Sequence, residues 1–163
     1  MKWKIRQEEP SEEAAITDVV ACAFAGKPYA DDSDQHLVTG LRDAGALVLS
    51  LVAVTGKSVI GQVALSPAKV GEGRYLCLGP VAVLPEHQGC GIGSALIEHA
   101  LGVAQVYGRD GVVLMGNPAY YSRFGFQKFA DVTYAGDGAE YVQVLPFGPP
   151  PEGEVQFHPV FEP

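Results

Sequence analysis

The sequence has few cysteines, few basic residues and no long apolar run, and each shortage excludes a class of protein. Its cysteines, Cys22, Cys77 and Cys90, lie far apart, so they form neither a disulfide framework nor a CxxC zinc pair. The longest apolar run lies within residues 46–54, far short of the ~20 residues that a membrane helix needs. We therefore expect a protein of a reducing compartment, the cytoplasm, with no membrane partner and no bound metal.

The chain is also short of positive charge. Its 11 Lys and Arg residues stand against 19 Asp and Glu residues, which gives a formal net charge of -8. Contacts to phosphate groups in nucleic acids and anionic membranes need a basic patch, so both are poor partners for this chain. With 47% apolar residues over 163 positions, the composition is that of one ordinary globular domain.

Periodicity and turn residues predict an α+β fold, in which a mixed, mostly antiparallel sheet carries helices on both faces. The predicted strands cover residues 3–6, 46–54, 59–65, 75–84, 111–115, 126–129 and 141–145, the last two as a hairpin. Helices are predicted between Pro10 and Gly26, over residues 32–44, and from the turn at residues 88–93 to residue 107, with a helical turn at 118–123. The tail from residue 146 is rich in Pro and Gly, and residues 155–157 are predicted to add an edge strand.

A proline lies in the middle of the predicted central strand, residues 75–84. Because Pro80 has no N–H group, it cannot donate to the hydrogen-bond ladder of a sheet. The strand is therefore expected to be bulged or splayed at this point.

A glycine-rich turn, residues 88–93, joins this strand to the following helix. Glycines allow a ligand to approach the backbone closely, and the start of a helix favours an anion, so the turn is suited to a phosphate group. It is not a nucleotide P-loop, because no Gly-Lys-Ser/Thr follows, and its glycine spacing does not fit a dinucleotide-binding fold. A tight turn without a ligand is the other interpretation.

Two stretches of the chain form linked motifs. Residues 78–96, LGPVAVLPEHQGCGIGSAL, combine a central strand, a Q-x-x-G-x-G loop and a helix, with Gln88, Gly91 and Gly93 at the fixed positions. Residues 117–126, NPAYYSRFGF, contain a Y-x-x-x-G-F segment whose spacing selects Tyr121 rather than Tyr120. In both motifs and in element order, residues 1–145 resemble the GNAT superfamily of N-acetyltransferases. Residues 146–163 lie outside the resemblance.

The resemblance implies the GNAT-like acyl-CoA N-acyltransferase fold, with acetyl-CoA as co-substrate. It places the pyrophosphate of acetyl-CoA on the backbone of the loop, and the pantetheine arm along the splayed strand. Tyr121 would protonate the departing thiolate. The residues that would bind acetyl-CoA are Val81, Ala82, Val83, Gln88, Gly89, Cys90, Gly91, Ile92, Gly93 and Ser94.

The family builds its acceptor site from the segment after the first strand, together with the last hairpin. In this chain that segment contains Tyr29, Asp31, Asp32, Asp34 and His36. Its acidic residues indicate an entrance to the acceptor site that attracts a cationic amine. The negative net charge favours the same interpretation. The alternative is a helix N-cap and a solvated turn.

The resemblance therefore predicts transfer of an acetyl group from acetyl-CoA to a primary amine, favoured as a small molecule, by direct attack. Residues 74–84 contain no acid to serve as the general base. Three alternatives stay open: a CoA-binding or sensing module without turnover, a protein N-terminal or lysine acetyltransferase, and a purely structural domain. The expected partners are acetyl-CoA and the amine, with monomer and homodimer both open.

Overall fold

In a computed structural model, the chain begins with a strand and two helices and continues mainly in strands. The structure describes residues 2–27 and 34–161. The strands are β1 Lys4–Gln7, β2 Leu49–Thr55, β3 Ser58–Val70, β4 Gly73–Val83, β5 Gly111–Met115, β6 Val132–Thr133, β7 Val142–Pro146 and β8 Gly153–Phe157. The helices are α1 Glu13–Phe24, α2 Leu37–Asp43, α3 Ile92–Val106 and α4 Pro118–Tyr121.

The strands form a mixed sheet in the order β1-β2-β3-β4-β5-β7. The pairs β1–β2, β2–β3 and β5–β7 are antiparallel, whereas β4 and β5 are parallel. Helix α3 makes the crossover that a parallel pair requires. The predicted α+β class, with a mostly antiparallel sheet, is confirmed.

The chain divides into two compact units. The first contains residues up to Leu65 together with Gly79–Ala100, and the second contains Ser66–Leu78 together with the residues from Leu101 onwards. Strands β3 and β4 and helix α3 therefore contribute residues to both units.

In the first unit, helices cover both faces of β3. On one face, Val20 of α1 and Val38 of α2 belong to a buried apolar cluster that includes Ala64. On the other face, a Cβ on Gly61 would lie only 3.1 to 3.2 Å from side-chain atoms of α3. Since residues an odd number of positions apart point to opposite faces of a strand, α3 lies opposite α1 and α2.

The core of the second unit is a separate apolar cluster. It joins β4 and β5 to the later strands, and its buried members are Ala68, Val70, Tyr75, Cys77, Val113, Val142, Val144, Val155 and Phe157. Burial raises the pKa of the Cys77 thiol to about 12. Cys77 is therefore a packing residue rather than a nucleophile.

The prediction of a final hairpin with residues 126–129 was wrong. Of that segment, only Gln127 forms an isolated bridge, with Val144 of β7. Phe126 packs against Tyr121, whereas Phe129 packs against the core of the second unit.

The tail contributes strand β8. It pairs antiparallel with the end of β3, from Ala68 to Val70, and parallel with β6. The predicted domain boundary at residue 145 stays a prediction.

A charged cluster joins β1 to the start of α1. The guanidinium of Arg6 donates two hydrogen bonds to the Glu12 carboxylate, at 2.9 and 2.7 Å. Glu12 also accepts the N–H of Glu9 at 2.8 Å, which satisfies a backbone donor at the helix start. The hydrogen bonds from Arg6 lower the pKa of Glu12 below its ordinary value.

We expect Glu12→Gln to reduce the free energy of unfolding by about 1 kcal/mol near neutral pH, because a neutral amide loses the charge-assisted bonds. A carboxyl group whose folded pKa is lowered stabilises the protein above its unfolded pKa, and this contribution disappears as the pH falls through the folded pKa. Urea unfolding of both proteins across this range should therefore show a difference that shrinks in acid. Glu72→Gln, at an exposed turn, is the control. A difference that is constant with pH would contradict the argument.

Candidate active site

The glycine-rich loop between β4 and α3 is exposed to solvent. After a 3₁₀ turn at Pro85–His87, residues 88–91 are all exposed. Gly89 and Gly91 have φ angles of +79° and +84°, which side chains rarely adopt, and a Cβ on either would meet nothing within 4 Å. A ligand can therefore approach the backbone here without meeting a side chain.

Two contacts hold this exposed loop in place. The side chain of Ile92, at the start of α3, is 1% exposed and contacts β3 through the gap left by Gly61. The Gln88 side chain donates from Nε2 to the carbonyl oxygen of Val83 at 3.0 Å. The loop is thus fixed at both ends while its outer side stays open.

The loop leads directly into a helix start, whose first N–H groups have no partner within the helix. The Ala95 N–H donates to the carbonyl oxygen of Gly91 at 3.1 Å, which places Ile92, Gly93 and Ser94 in the first turn. Helix α3 has 15 residues, so its dipole adds positive potential at this end. The backbone from Gly89 to Ser94 is therefore suited to an anion such as a pyrophosphate.

The beginning of β4 pairs with β5, whereas its end does not. The pairing of β4 with β5 covers only Tyr75 to Cys77, and it ends before Pro80, where the sequence predicts a break. Beyond this point Ala82 is buried in the core of the first unit, while Val81 and Val83 are half-buried. Side chains that alternate in this way leave one face of the strand end partly accessible.

In the second unit, Tyr121 is held by the turn between β5 and α4. Asn117 caps α4, because its Oδ1 accepts the Ala119 N–H at 3.0 Å. The half-buried ring of Tyr121 lies against Gly116, where a Cβ would overlap it. The buried ring of Phe126 meets it edge-on at 6.1 Å. Packing on two sides fixes where the hydroxyl group points.

Tyr120 lies in a different environment. The guanidinium carbon of Arg123 lies 4.5 Å from the centre of its ring, and Arg123 Nε donates to the Tyr120 carbonyl oxygen at 3.0 Å. Arg123 therefore packs on Tyr120 through a cation–π contact, and the choice of Tyr121 over Tyr120 stays a prediction.

Gln143 is a site residue that the sequence analysis missed. Its carboxamide is buried in β7 and donates from Nε2 to the carbonyl oxygens of Gly116, at 2.9 Å, and Tyr141, at 3.3 Å. The Gly116 N–H donates to the same Tyr141 oxygen at 3.0 Å. Gln143 thereby fixes the glycine on which Tyr121 rests.

The predicted acceptor segment is described only in part. Tyr29, Asp31 and Asp32 lie outside the described residues. His36 is exposed in a 3₁₀ turn, Asp34–His36, that leads into α2. The role of this segment stays a prediction.

Within residues 2–27 and 34–161, no three His, Cys, Asp or Glu side chains come together as a metal-binding group. None of the helices in that part of the chain is long and apolar enough to cross a membrane. Of the cysteines, Cys22 and Cys90 are exposed.

We expect Gly116→Ala to destabilise the protein by about 1–3 kcal/mol, because the new methyl group must displace the Tyr121 ring or the backbone. Gly102→Ala is the matched control: it adds the same methyl group in open space within α3, where alanine should stabilise the helix by about 0.5–1 kcal/mol. Urea unfolding measures both changes. If Gly116→Ala were as stable as the original protein, the packing of Tyr121 on Gly116 would not be as described.

Comparison with protein families gives a match to the acetyltransferase (GNAT) domain over residues 47–128. This span contains the glycine-rich loop and Tyr121. The chain is also 38% identical to the uncharacterized N-acetyltransferase YhbS of Escherichia coli K12 over 108 residues. That alignment covers 64% of this chain and 65% of YhbS, so it spans less than two thirds of the curated relative.

Solved structures extend the similarity to almost the whole chain. A GNAT family acetyltransferase from Brucella melitensis, crystallised with acetyl-CoA, is 39% identical, with a TM-score of 0.87 and 99% of each chain covered. E. coli YhbS, crystallised with CoA, is 31% identical, with a TM-score of 0.90 over 100% of this chain and 93% of that chain. The domain match and these two relatives show that the chain belongs to the GNAT family of acetyltransferases.

Proposed function

We propose that this protein transfers the acetyl group of acetyl-CoA to the primary amine of a small molecule. The observation that carries the proposal is the exposed glycine loop at the start of α3, whose backbone is open to an anionic ligand. The relatives crystallised with acetyl-CoA and with CoA support it.

The loop fits the pyrophosphate of acetyl-CoA. Gly89 and Gly91 leave room for it, and Cys90, Gly93 and Ser94 add their backbone N–H groups. Ile92 contributes only its N–H group, because its side chain is buried. Gln88 shapes the turn, since its carboxamide already bonds to Val83.

The end of β4 fits the pantetheine arm. Residues Val81, Ala82 and Val83 continue the strand beyond the last residue that pairs with β5. Backbone groups here would hydrogen-bond the pantetheine amides in place of a neighbouring strand. An N–H group of Val81 or Val83 would also stabilise negative charge on the thioester oxygen as the amine attacks.

The reaction needs two proton transfers. The nitrogen must be neutral before it forms a bond to the thioester carbon, and the sulfur takes a proton as the carbon–sulfur bond breaks. We assign the second transfer to Tyr121. The family motif supports this assignment, and so does the packing that holds the ring.

For the acceptor, the acids of the segment before α2 favour a positively charged amine. We propose that the entrance of the acceptor site is formed by Tyr29, Asp31, Asp32, Asp34 and His36. The net charge of -8 would raise the local concentration of cations. A cytoplasmic location, the absence of nucleic-acid and membrane partners, and the monomer or homodimer state stay predictions.

Two alternatives are separated by one assay. The lack of an acid in residues 74–84 favours a CoA-binding module without turnover. A protein acetyltransferase would instead prefer a peptide amine. CoA release from acetyl-CoA, measured over small primary amines and lysine peptides, distinguishes the three. Release of CoA with small amines supports the proposal. Release with lysine peptides alone supports a protein acetyltransferase, and CoA binding without release supports a binding module without turnover.

Gly91→Glu should weaken CoA binding roughly 10-fold or more, because like charges a few ångström apart repel by on the order of 1–4 kcal/mol. Gly91→Ala carries the same cost for a side chain at positive φ, so the difference between the two variants isolates the charge. Calorimetry with CoA and with pantetheine, which lacks the pyrophosphate, measures the effect. An equal loss for both ligands would contradict a pyrophosphate site at this loop.

Tyr121→Phe should lower kcat roughly 10²-fold and leave KM for acetyl-CoA nearly unchanged, because it removes the hydroxyl group and keeps the ring. Tyr120→Phe is the matched control and should keep most of the activity. Steady-state kinetics with a single amine compares the variants. A Tyr121→Phe enzyme with normal kcat would reduce Tyr121 to a packing residue.

A further inference from the structure

The second unit contains a cavity whose lining shares no residue with the proposed acetyl-CoA and acceptor sites. Its volume is about 380 Å³, within the range of ~300–1,000 Å³ that is typical of small-molecule sites. Strand β7 and the segment from Lys128 to Ala139 supply its described lining residues. The proposed reaction gives this cavity no role, so its lining is the guide to what it binds.

The inner lining of the cavity is apolar. Val142 and Val144 of β7 are buried in the core of the unit. Phe129, Val132 and Tyr134 are half-buried and pack against the same core. Apolar surface that faces an open cavity is stabilised when an apolar group covers it. The inner lining therefore favours a ring or a branched alkyl group.

The opening of the cavity is polar and positively charged. Lys128, Thr133 and Ala139 are its exposed lining residues, so they lie where it meets solvent. Among the described lining residues, Lys128 is the one charged side chain, and no carboxylate of the described residues forms an ion pair with it. The Thr133 hydroxyl group adds a hydrogen-bond donor. An ammonium and a hydroxyl group at the opening favour an anion.

A carboxylate suits this opening better than an ammonium group does. At the opening it stays in contact with water, so the cost of burying a charge does not arise. Lys128 would attract it and would repel an ammonium group. The exposed acids of the same segment, Asp131, Asp137 and Glu140, do not line the cavity. Salt and water screen charges that lie farther away, so the lining cation has the larger effect.

We infer that this cavity is a second binding site of the protein and takes a small carboxylate with an aromatic or branched alkyl body. The body covers the inner lining, and the carboxylate lies at the opening beside Lys128 and Thr133. The inference goes beyond the proposed function and does not depend on it. Binding is therefore measured without acetyl-CoA.

The test titrates the whole chain with 3-phenylpropionate, propionate, 3-phenylpropanamide and 3-phenylpropylamine, and follows the backbone amide NMR signals of residues 128–144. Burial of the phenyl ring should make Kd for 3-phenylpropionate at least about 10-fold lower than for propionate. The attraction of an exposed ammonium group should make the carboxylate bind about 2- to 5-fold more tightly than the neutral amide. The amine should bind no better than the amide. No binding of 3-phenylpropionate, or binding no tighter than that of any other probe, would overturn the inference.

A pair of lysine variants tests the charge. Lys128→Gln removes the cation at the opening, so it should abolish the preference for 3-phenylpropionate over the amide and leave Kd for the amide nearly unchanged. Lys57→Gln removes the same charge at an exposed turn that does not line the cavity, and it should keep the preference. If Lys128→Gln also kept the preference, Lys128 would not select a carboxylate, and the inference would fail.

A pair of tryptophan variants locates the apolar body. Ala139→Trp places an indole ring in the cavity from an exposed position, so it should fill the space without disturbing the core. Ala135→Trp adds the same ring at an exposed residue of the same segment that does not line the cavity. Binding of 3-phenylpropionate should weaken at least about 5-fold in the first variant and persist in the second. If the two variants bind it equally, the phenyl ring does not lie in this cavity.

Discussion

The close seating of α3 on β3 is the constraint on which the glycine-rich loop depends. Gly61 leaves the space that Ile92 and Leu96 fill, and a Cβ there would also come within 3.3 Å of the Ala82 carbonyl oxygen. Because the helix start is fixed on the strand, the loop before it must turn outward. Its glycines then expose backbone rather than side chains. The packing thus places the polar groups where a ligand can use them.

A second constraint acts on Tyr121, and it is polar. The Gln143 carboxamide lies fully buried and would be costly without partners, but it bonds two carbonyl oxygens at the end of β5 and the start of β7. Each such bond contributes roughly 0.5–1.5 kcal/mol. The larger effect is directional, because the Gly116 backbone can take only the position that satisfies them. The Tyr121 ring rests on this glycine, so the position of the ring is fixed as well.

The sequence by itself determined the features that depend on neighbouring residues. The strand, glycine loop and helix from β4 to α3 and the crossover to β5 follow from local spacing, and the break at Pro80 follows from its missing N–H group. The tertiary structure decided what depends on distant segments. Residues 126–129 resemble a strand in the sequence, but of these four residues only Gln127 forms a bridge with β7. The support that Gln143 gives to Gly116 arises only when β7 pairs with β5, and no local pattern encodes that contact.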